Sequence, residues 1–173
     1  MAKDVVDRIV DRDGRRARCR TDEIALGSSR PLEQQLAEVG QLAAGFGVDA
    51  ETVDVLVRQY GDQAPDVLAL AHDLDLAAPL SDAAAHIAAE VVYAARHESA
   101  ATLEDVYSRR TRLSLRARDA ALPTADLAAR LLATELGQDE TWARAQVTAY
   151  ADAVRRERGA LGLVAATEAP AAG

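Results

Sequence analysis

Apolar positions along the chain recur at helical spacing and are punctuated by glycine, proline and short polar stretches. Val5, Val6, Ile9 and Val10 fall on one stripe, which predicts a helix over 1–13 closed by Gly14. At three turns it is too short and too charged to stand alone, so it needs something to pack against. An arginine-rich connector with no clear period spans 14–31. Pro31 opens the next helix, where its missing N–H does no harm, and Leu32, Leu36, Val39 and Ala43 mark the apolar face before Gly45 and Gly47 break it. Asp49 is placed to N-cap a helix carrying Val53, Leu56, Val57 and Tyr60, ended by Gly61 in the left-handed conformation.

A short helix holding Val67, Leu68, Leu70 and Ala71 comes next, and Pro79 separates it from the central helix. Ser81 or Asp82 is expected to cap that helix, the longest of the central part, running to about Glu98. Thr102 with Asp105 forms a capping box with Asp in place of Glu, opening a helix from Leu103 to about Arg110. Thr124 is expected to cap Ala125–Leu136, which Gly137 stops; the last helix starts near Asp139 and carries Trp142, Val147, Tyr150 and Val154, with Trp142 and Tyr150 as core anchors. The stretch 159–173 is Ala, Gly and Pro with few anchors and is expected to be a disordered tail. No repeat and no strand emerges. The predicted fold is all-α: a compact helical bundle of six to eight helices with a loosely attached N-terminal helix.

Composition supports that reading. Alanine and leucine dominate a hydrophobic fraction of 49%, aromatics are 3%, and good helix formers predominate. With 173 residues the chain fits one domain, able to bury roughly 70% of its extended surface. A net charge of −8 argues against nucleic acid as a partner. Cys19 is the single cysteine, which excludes an internal disulfide and fits a reducing compartment. The opening MAKDVVDRIVDRDG lacks the apolar run of a signal peptide, and nothing approaches a membrane span, so the expected location is cytoplasmic.

Several polar constellations invite chemistry. On a helix over 82–98, His86, Glu90, Tyr93 and His97 would share a stripe. His86 and His97 would then lie three turns apart, about 16 Å along the axis, too far to reach one ion. His86 with Glu90 is a possible ligand pair but needs further ligands, so the stripe reads as surface or interface rather than metal site. Glu90, Glu98, Asp105, Arg109 and Arg110 could form an interhelical ion-pair network, with Asp105 and Arg109 paired at i,i+4. Arg109, Arg110, Arg112, Arg116 and Arg118 make a basic island in an acidic chain. Docking or internal pairing, a solvated helix face and attraction to anionic lipid all compete for it; the lipid reading lacks the apolar, aromatic-bearing face of an interfacial helix. Cys19 has no fixed His partner nearby, so a nucleophilic role is weakly supported.

Three stretches carry a resemblance: LVRQYG at 56–61 with VLAL at 67–70, AEVVYAARHE at 89–98, and ATLEDVYSRRTR at 101–112. In this order and spacing they resemble the helical C-terminal domain of FAD-dependent (aerobic) glycerol-3-phosphate dehydrogenases and alpha-glycerophosphate oxidases. The likeness covers about 32–158 and extends weakly to 1–13, which resembles the helix ending that family's FAD domain, and to Cys19-Arg20-Thr21 and Leu26-Gly27 in the connector. It implies a chain starting just after the flavin-contacting segment.

The family oxidises glycerol 3-phosphate to dihydroxyacetone phosphate with quinone as acceptor. This sequence has no Gly-x-Gly-x-x-Gly and no βαβ unit, so the resemblance implies no catalytic, cofactor-binding or metal residue here and no activity for the chain alone. It implies instead a partner, the FAD/substrate domain, with at most peripheral membrane contact at the inner face of the cell membrane. Glu90, Tyr93, Glu98, Asp105, Arg109, Arg110 and Arg112 become candidates for that domain interface or for an internal ion-pair network. The alternative is a freestanding, non-catalytic helical interaction module derived from the family.

Overall fold

The structure, a computed structural model, describes residues 2–24 and 30–162, the side chains of 117–119 excepted. Among them are nine α-helices: α1 Ala2–Arg12, α2 Leu32–Ala37, α3 Val39–Phe46, α4 Ala50–Tyr60, α5 Ala64–Asp73, α6 Ala89–His97, α7 Leu113–Ala117, α8 Ala125–Leu136 and α9 Glu140–Ala160. The fold is all-α, and the only sheet-like pairing among the described residues is an isolated antiparallel bridge between Pro79 and Ile87. The expected disorder of the tail lies, from residue 163 on, outside the described residues.

Local sequence sets most of the boundaries. Asp49 accepts from the Thr52 amide at 2.8 Å and caps α4, and Asp139 does the same for Trp142 and α9. Gly137 ends α8 at φ +65°, a conformation other residues adopt at a cost. Gly61 closes α4 with φ +56° but ψ −127°, outside the left-handed helical region expected of it. The helix opened by Pro31 splits at Glu38 into α2 and α3, and α3 runs through Gly45 to Phe46.

Two predictions give way to tertiary contacts. The expected helix over 82–98 begins only at Ala89, and α9, at 21 residues, is the longest. Residues 76–88 instead fold back on themselves: the Leu80 amide donates to the His86 carbonyl at 2.8 Å and the Ala88 amide to Ala78 at 2.8 Å. This loop drives Leu80 into one hydrophobic cluster and Ile87 into the other. Thr124 precedes α8 as expected but makes no side-chain cap; its hydroxyl donates to the Leu80 carbonyl at 2.6 Å, tying α8 to the same loop.

Helix α6 is the wall between the two clusters. Ala89 and Tyr93 face Val53, Leu56, Val67 and Leu68 of α4 and α5, while Val91 and Ala94 face Leu103, Leu132 and Tyr150. Both of its faces are buried, so it can lie only at the centre. Tyr150 and Val154 anchor α9, whereas Trp142 and Val147 are half-buried at the edge of the cluster. α1 stands apart: none of its residues is buried, and Val5, Val6 and Ile9 are 61%, 55% and 46% exposed.

Candidate functional site

The candidate residues separate into an interior group and a surface group. Glu90 and Tyr93 belong to the interior. The Glu90 carboxyl is fully buried, accepts from the Tyr60 hydroxyl at 3.1 Å and from the Ile87 amide at 2.8 Å, and lies 3.1 Å from His86 Nδ1. Tyr93 packs edge-on against Tyr60 at 5.1 Å and against the His97 ring at 4.7 Å. The expected surface or interface stripe is therefore corrected in part: His86 sits on the loop before α6, and His86, Glu90 and Tyr93 are buried, while His97 is exposed. The His86 Nε2 is buried with no hydrogen-bond partner. Among the described residues no group of three or more His, Cys, Asp or Glu is placed to hold a metal ion.

The surface group is built on an unusual turn. Thr102 and Asp105 form the reciprocal capping box, Asp105 accepting from the Thr102 amide at 3.0 Å and Thr102 Oγ1 from the Asp105 amide at 3.1 Å. The helix it opens widens over Asp105–Arg110 into a π turn, and the Thr111 amide closes it by donating to Val106 at 2.9 Å. Such wide turns recur at functional sites. Arg112 comes next with φ +55°, strained for a residue bearing a side chain, before α7 begins at Leu113.

The network expected of these residues forms in part: Asp105 pairs with Arg109 and Arg110 reaches Glu98, while Glu90 takes no part. Asp105 and Arg109 pair within the turn at 2.8 Å. Arg110 donates through Nε and a terminal nitrogen to the Glu98 backbone carbonyl, and only a 3.9 Å approach links it to the Glu98 carboxylate. Among the described residues Glu90 makes no hydrogen bond or ion pair with an arginine. A bidentate bridge between α6 and α8, Arg96 to Glu135 at 2.6 and 2.8 Å, does join two helices, and nothing in the sequence pattern marked it.

The basic island instead surrounds a cavity. Arg109, Arg110, Arg112 and Arg116 line an open cavity of about 400 Å³, joined by Arg58 from α4 and by Glu98. The Arg118 side chain lies outside the described residues. Arg58 was the hidden member: it belongs to the LVRQYG stretch, and only packing brings it beside residues fifty positions on, with Gln59 Nε2 donating to the Arg110 carbonyl at 3.1 Å. Burial pushes the Glu98 carboxyl above its usual range; Arg110 pulls it down, and the nearby Glu90 raises it again. Cys19 is half-buried beside Thr21, whose hydroxyl bond lowers the thiol's pKa, and no His approaches it.

Residues 19–143 match the family model described as the C-terminal domain of alpha-glycerophosphate oxidase. The chain belongs to that family. Over 120 residues it is 37% identical to glycerol-3-phosphate dehydrogenase 1 of Mycobacterium tuberculosis, covering 69% of this chain and 22% of that protein. A probable mitochondrial glycerol-3-phosphate dehydrogenase of Dictyostelium discoideum is 40% identical over 73 residues, 42% of this chain and 11% of that protein. The glycerol-3-phosphate dehydrogenase of Mycobacterium leprae is 33% identical over 96 residues, 55% of this chain and 16% of that protein. Thus the chain spans less than a quarter of the length of these relatives. No solved structure matches.

The three stretches that carry the family resemblance lie on α4 and α5, on α6 and at the π turn, and the ends of α4 and α6 meet the π turn around one place. α4 ends at the cavity, α6 ends beside Glu98 on its rim, and the π turn supplies Arg109 and Arg110. The described residues offer no strand–turn–helix cradle that would fit a flavin dinucleotide. No helix among them is long and apolar enough to cross a membrane.

Proposed function

We propose that this chain is the helical accessory domain of an FAD-dependent glycerol-3-phosphate dehydrogenase, working by packing against a separate flavin and substrate domain. The parent reaction converts glycerol 3-phosphate to dihydroxyacetone phosphate and passes the electrons to quinone; flavin and substrate sites belong to the partner. Residues 1–13 serve as the last helix of the flavin domain, 14–31 as the connector and 32–158 as the accessory domain proper.

The observation that carries this reading is the apolar stripe of α1, exposed at Val5, Val6 and Ile9 on a helix with no buried residue of its own. An amphipathic helix of 11 residues gains little from local propensity and is stable chiefly when its apolar face is covered. The family resemblance supports a flavin domain as the occupant of that face, because residues 1–13 resemble the helix that ends such a domain. Arg109 and Arg112, exposed at the cavity mouth, lie within the family's motif and belong to the accessible surface on which such a partner can dock.

One observation favours the second reading, a freestanding interaction module. Both hydrophobic clusters close within this chain, with Leu56, Leu103 and Leu132 fully buried and no partner needed to complete them. Complementation separates the two. The chain is added to a glycerol-3-phosphate dehydrogenase core lacking its C-terminal domain, and quinone-linked dye reduction is followed alongside gel filtration. Restored activity with a stable complex supports the accessory domain; an inactive core and a chain that elutes alone support the module.

A further inference from the structure

The arginine cavity has a charge balance unlike the rest of the molecule. The chain carries 28 acidic against 20 basic Lys and Arg side chains, yet five arginines converge here on one lining carboxylate, Glu98. Three of the five are matched: Arg58 by Asp54 at 2.6 Å, Arg109 by Asp105 at 2.8 Å, and Arg110 by the Glu98 carbonyl and, at 3.9 Å, its carboxylate. The guanidinium groups of Arg112 and Arg116 have no hydrogen-bonding or ion-pairing partner among the described residues; only their backbones are bonded, the Arg116 amide donating to the Arg112 carbonyl at 3.2 Å. Two like charges held beside three others in a chain of net charge −8 is an arrangement that self-repulsion opposes and an anion relieves.

The backbone adds a second observation. Arg112 occupies φ +55°, where a side chain is disfavoured and glycine would sit without strain. Strain of this kind persists where the surrounding structure fixes it and concentrates at binding sites. Here it is fixed on both sides, by the closed π turn ending at Thr111 and by the Leu113 amide donating to Thr111 Oγ1 at 3.3 Å.

We propose that this cavity binds a phosphate group as a dianion, held by Arg112 and Arg116 with Arg58, Arg109 and Arg110 completing the positive field. The planar guanidinium fork matches phosphate oxygens bidentately, and a phosphomonoester near neutral pH carries close to two negative charges, equal to the two unmatched arginines. A volume of about 400 Å³ exceeds the bare ion and leaves room for the small organic part of a phosphomonoester. Binding requires only this chain, so it stands or falls separately from docking on a flavin domain.

Titration of the purified chain with inorganic phosphate at constant ionic strength, read by amide chemical shifts over 109–116, tests it. The expected result is a saturable shift absent with chloride and weakened at least about tenfold in Arg112→Gln/Arg116→Gln, the loss of one or two charge-assisted hydrogen bonds. Arg112→Gly guards against a folding artefact: it removes the cation and the strain together, so its Tm stays level or rises while phosphate binding falls. Arg130→Gln, which breaks an exposed pair elsewhere, leaves binding unchanged. Methyl phosphate and vesicles containing phosphatidic acid identify the source. Tighter binding of methyl phosphate than of phosphate marks a soluble phosphomonoester, and arginine-dependent retention on the vesicles marks a lipid headgroup. A shift that tracks ionic strength without saturating, or that survives unchanged in Arg112→Gln/Arg116→Gln, overturns the proposal.

Discussion

The hydroxyl of Tyr60 donates to the carboxyl of Glu90 across 30 positions of chain, at 3.1 Å, with both side chains buried. This bond ties the end of α4 to the first turn of α6, next to the loop that carries His86. Glu90 also receives the Ile87 amide and the His86 imidazole, so one carboxyl satisfies three groups that have no access to water. Removing the donor and removing the acceptor are therefore unequal acts. Tyr60→Phe deletes one bond and leaves Glu90 with two partners, an expected loss of about 1–2 kcal/mol. Glu90→Leu strands three buried groups at once and is expected to cost about 3 kcal/mol or more. Urea unfolding of both variants checks the order; equal losses would contradict this account of the network.

The Thr102–Asp105 capping box is the local device that starts the helix leading into the arginine cavity. Thr102→Ala is expected to destabilise by about 1 kcal/mol, measured by urea midpoint. Burial alone would raise the Asp105 carboxyl, but bonds from the Thr102 hydroxyl and the Ala101 amide, the nearby Arg109 and the Thr102 amide hold it below its usual value of 3.8. A depressed folded-state value means stability that is present above pH 3.8 and is lost as pH falls through the lowered value. Asp105→Asn should flatten that acid limb.

Glu98 has the opposite sign. Its carboxyl is raised above 4.5, chiefly by burial, so the folded state binds the proton more tightly than the unfolded chain. The contribution of Glu98 is then most favourable below 4.5, and it declines as pH rises through the folded value. Glu98→Gln removes the decline, and its stability relative to the parent should improve steadily with rising pH across that window. Denaturant titrations at several pH values measure this directly, and a pH-independent difference would show that Glu98 titrates like a solvated carboxyl.

How far the sequence reached depended on the range of the interaction. Asp49, Asp139, Gly137 and the Thr102–Asp105 box act within four residues, and each behaves as its pattern implies. The stretch 82–88 is rich in alanine, a strong helix former, yet it leaves the helix and Ile87 pairs with Pro79 because the resulting loop buries Leu80 and Ile87 in two separate clusters. Burial of two large side chains outweighs a few tenths of a kcal/mol per residue of propensity. The same fold-back turned part of a supposed surface or interface stripe into the Tyr60–Glu90–His86 interior. The basic island was legible as charge, but not as a cavity: Arg58 joins it from a helix distant in sequence, and the π turn that orders Arg109 and Arg110 leaves no periodic trace.

The exposed face of α1 yields the last prediction. Val6 and Ile9 are 55% and 46% exposed, so Val6→Gln/Ile9→Gln, which keeps good helix propensity, should change the stability of the chain alone by less than about 0.5 kcal/mol. If that stripe is where a flavin domain sits, the same change removes buried apolar area from the contact and weakens the complex. The variant should then lose co-elution with a glycerol-3-phosphate dehydrogenase core under conditions in which the parent chain is retained. A drop in stability of the isolated chain would mean that α1 already packs on its own domain, and retained co-elution would place the docking face elsewhere. Because Arg112 and Arg116 are far along the sequence and on a separate cavity, phosphate binding by this variant should match the parent, which distinguishes loss of docking from loss of fold.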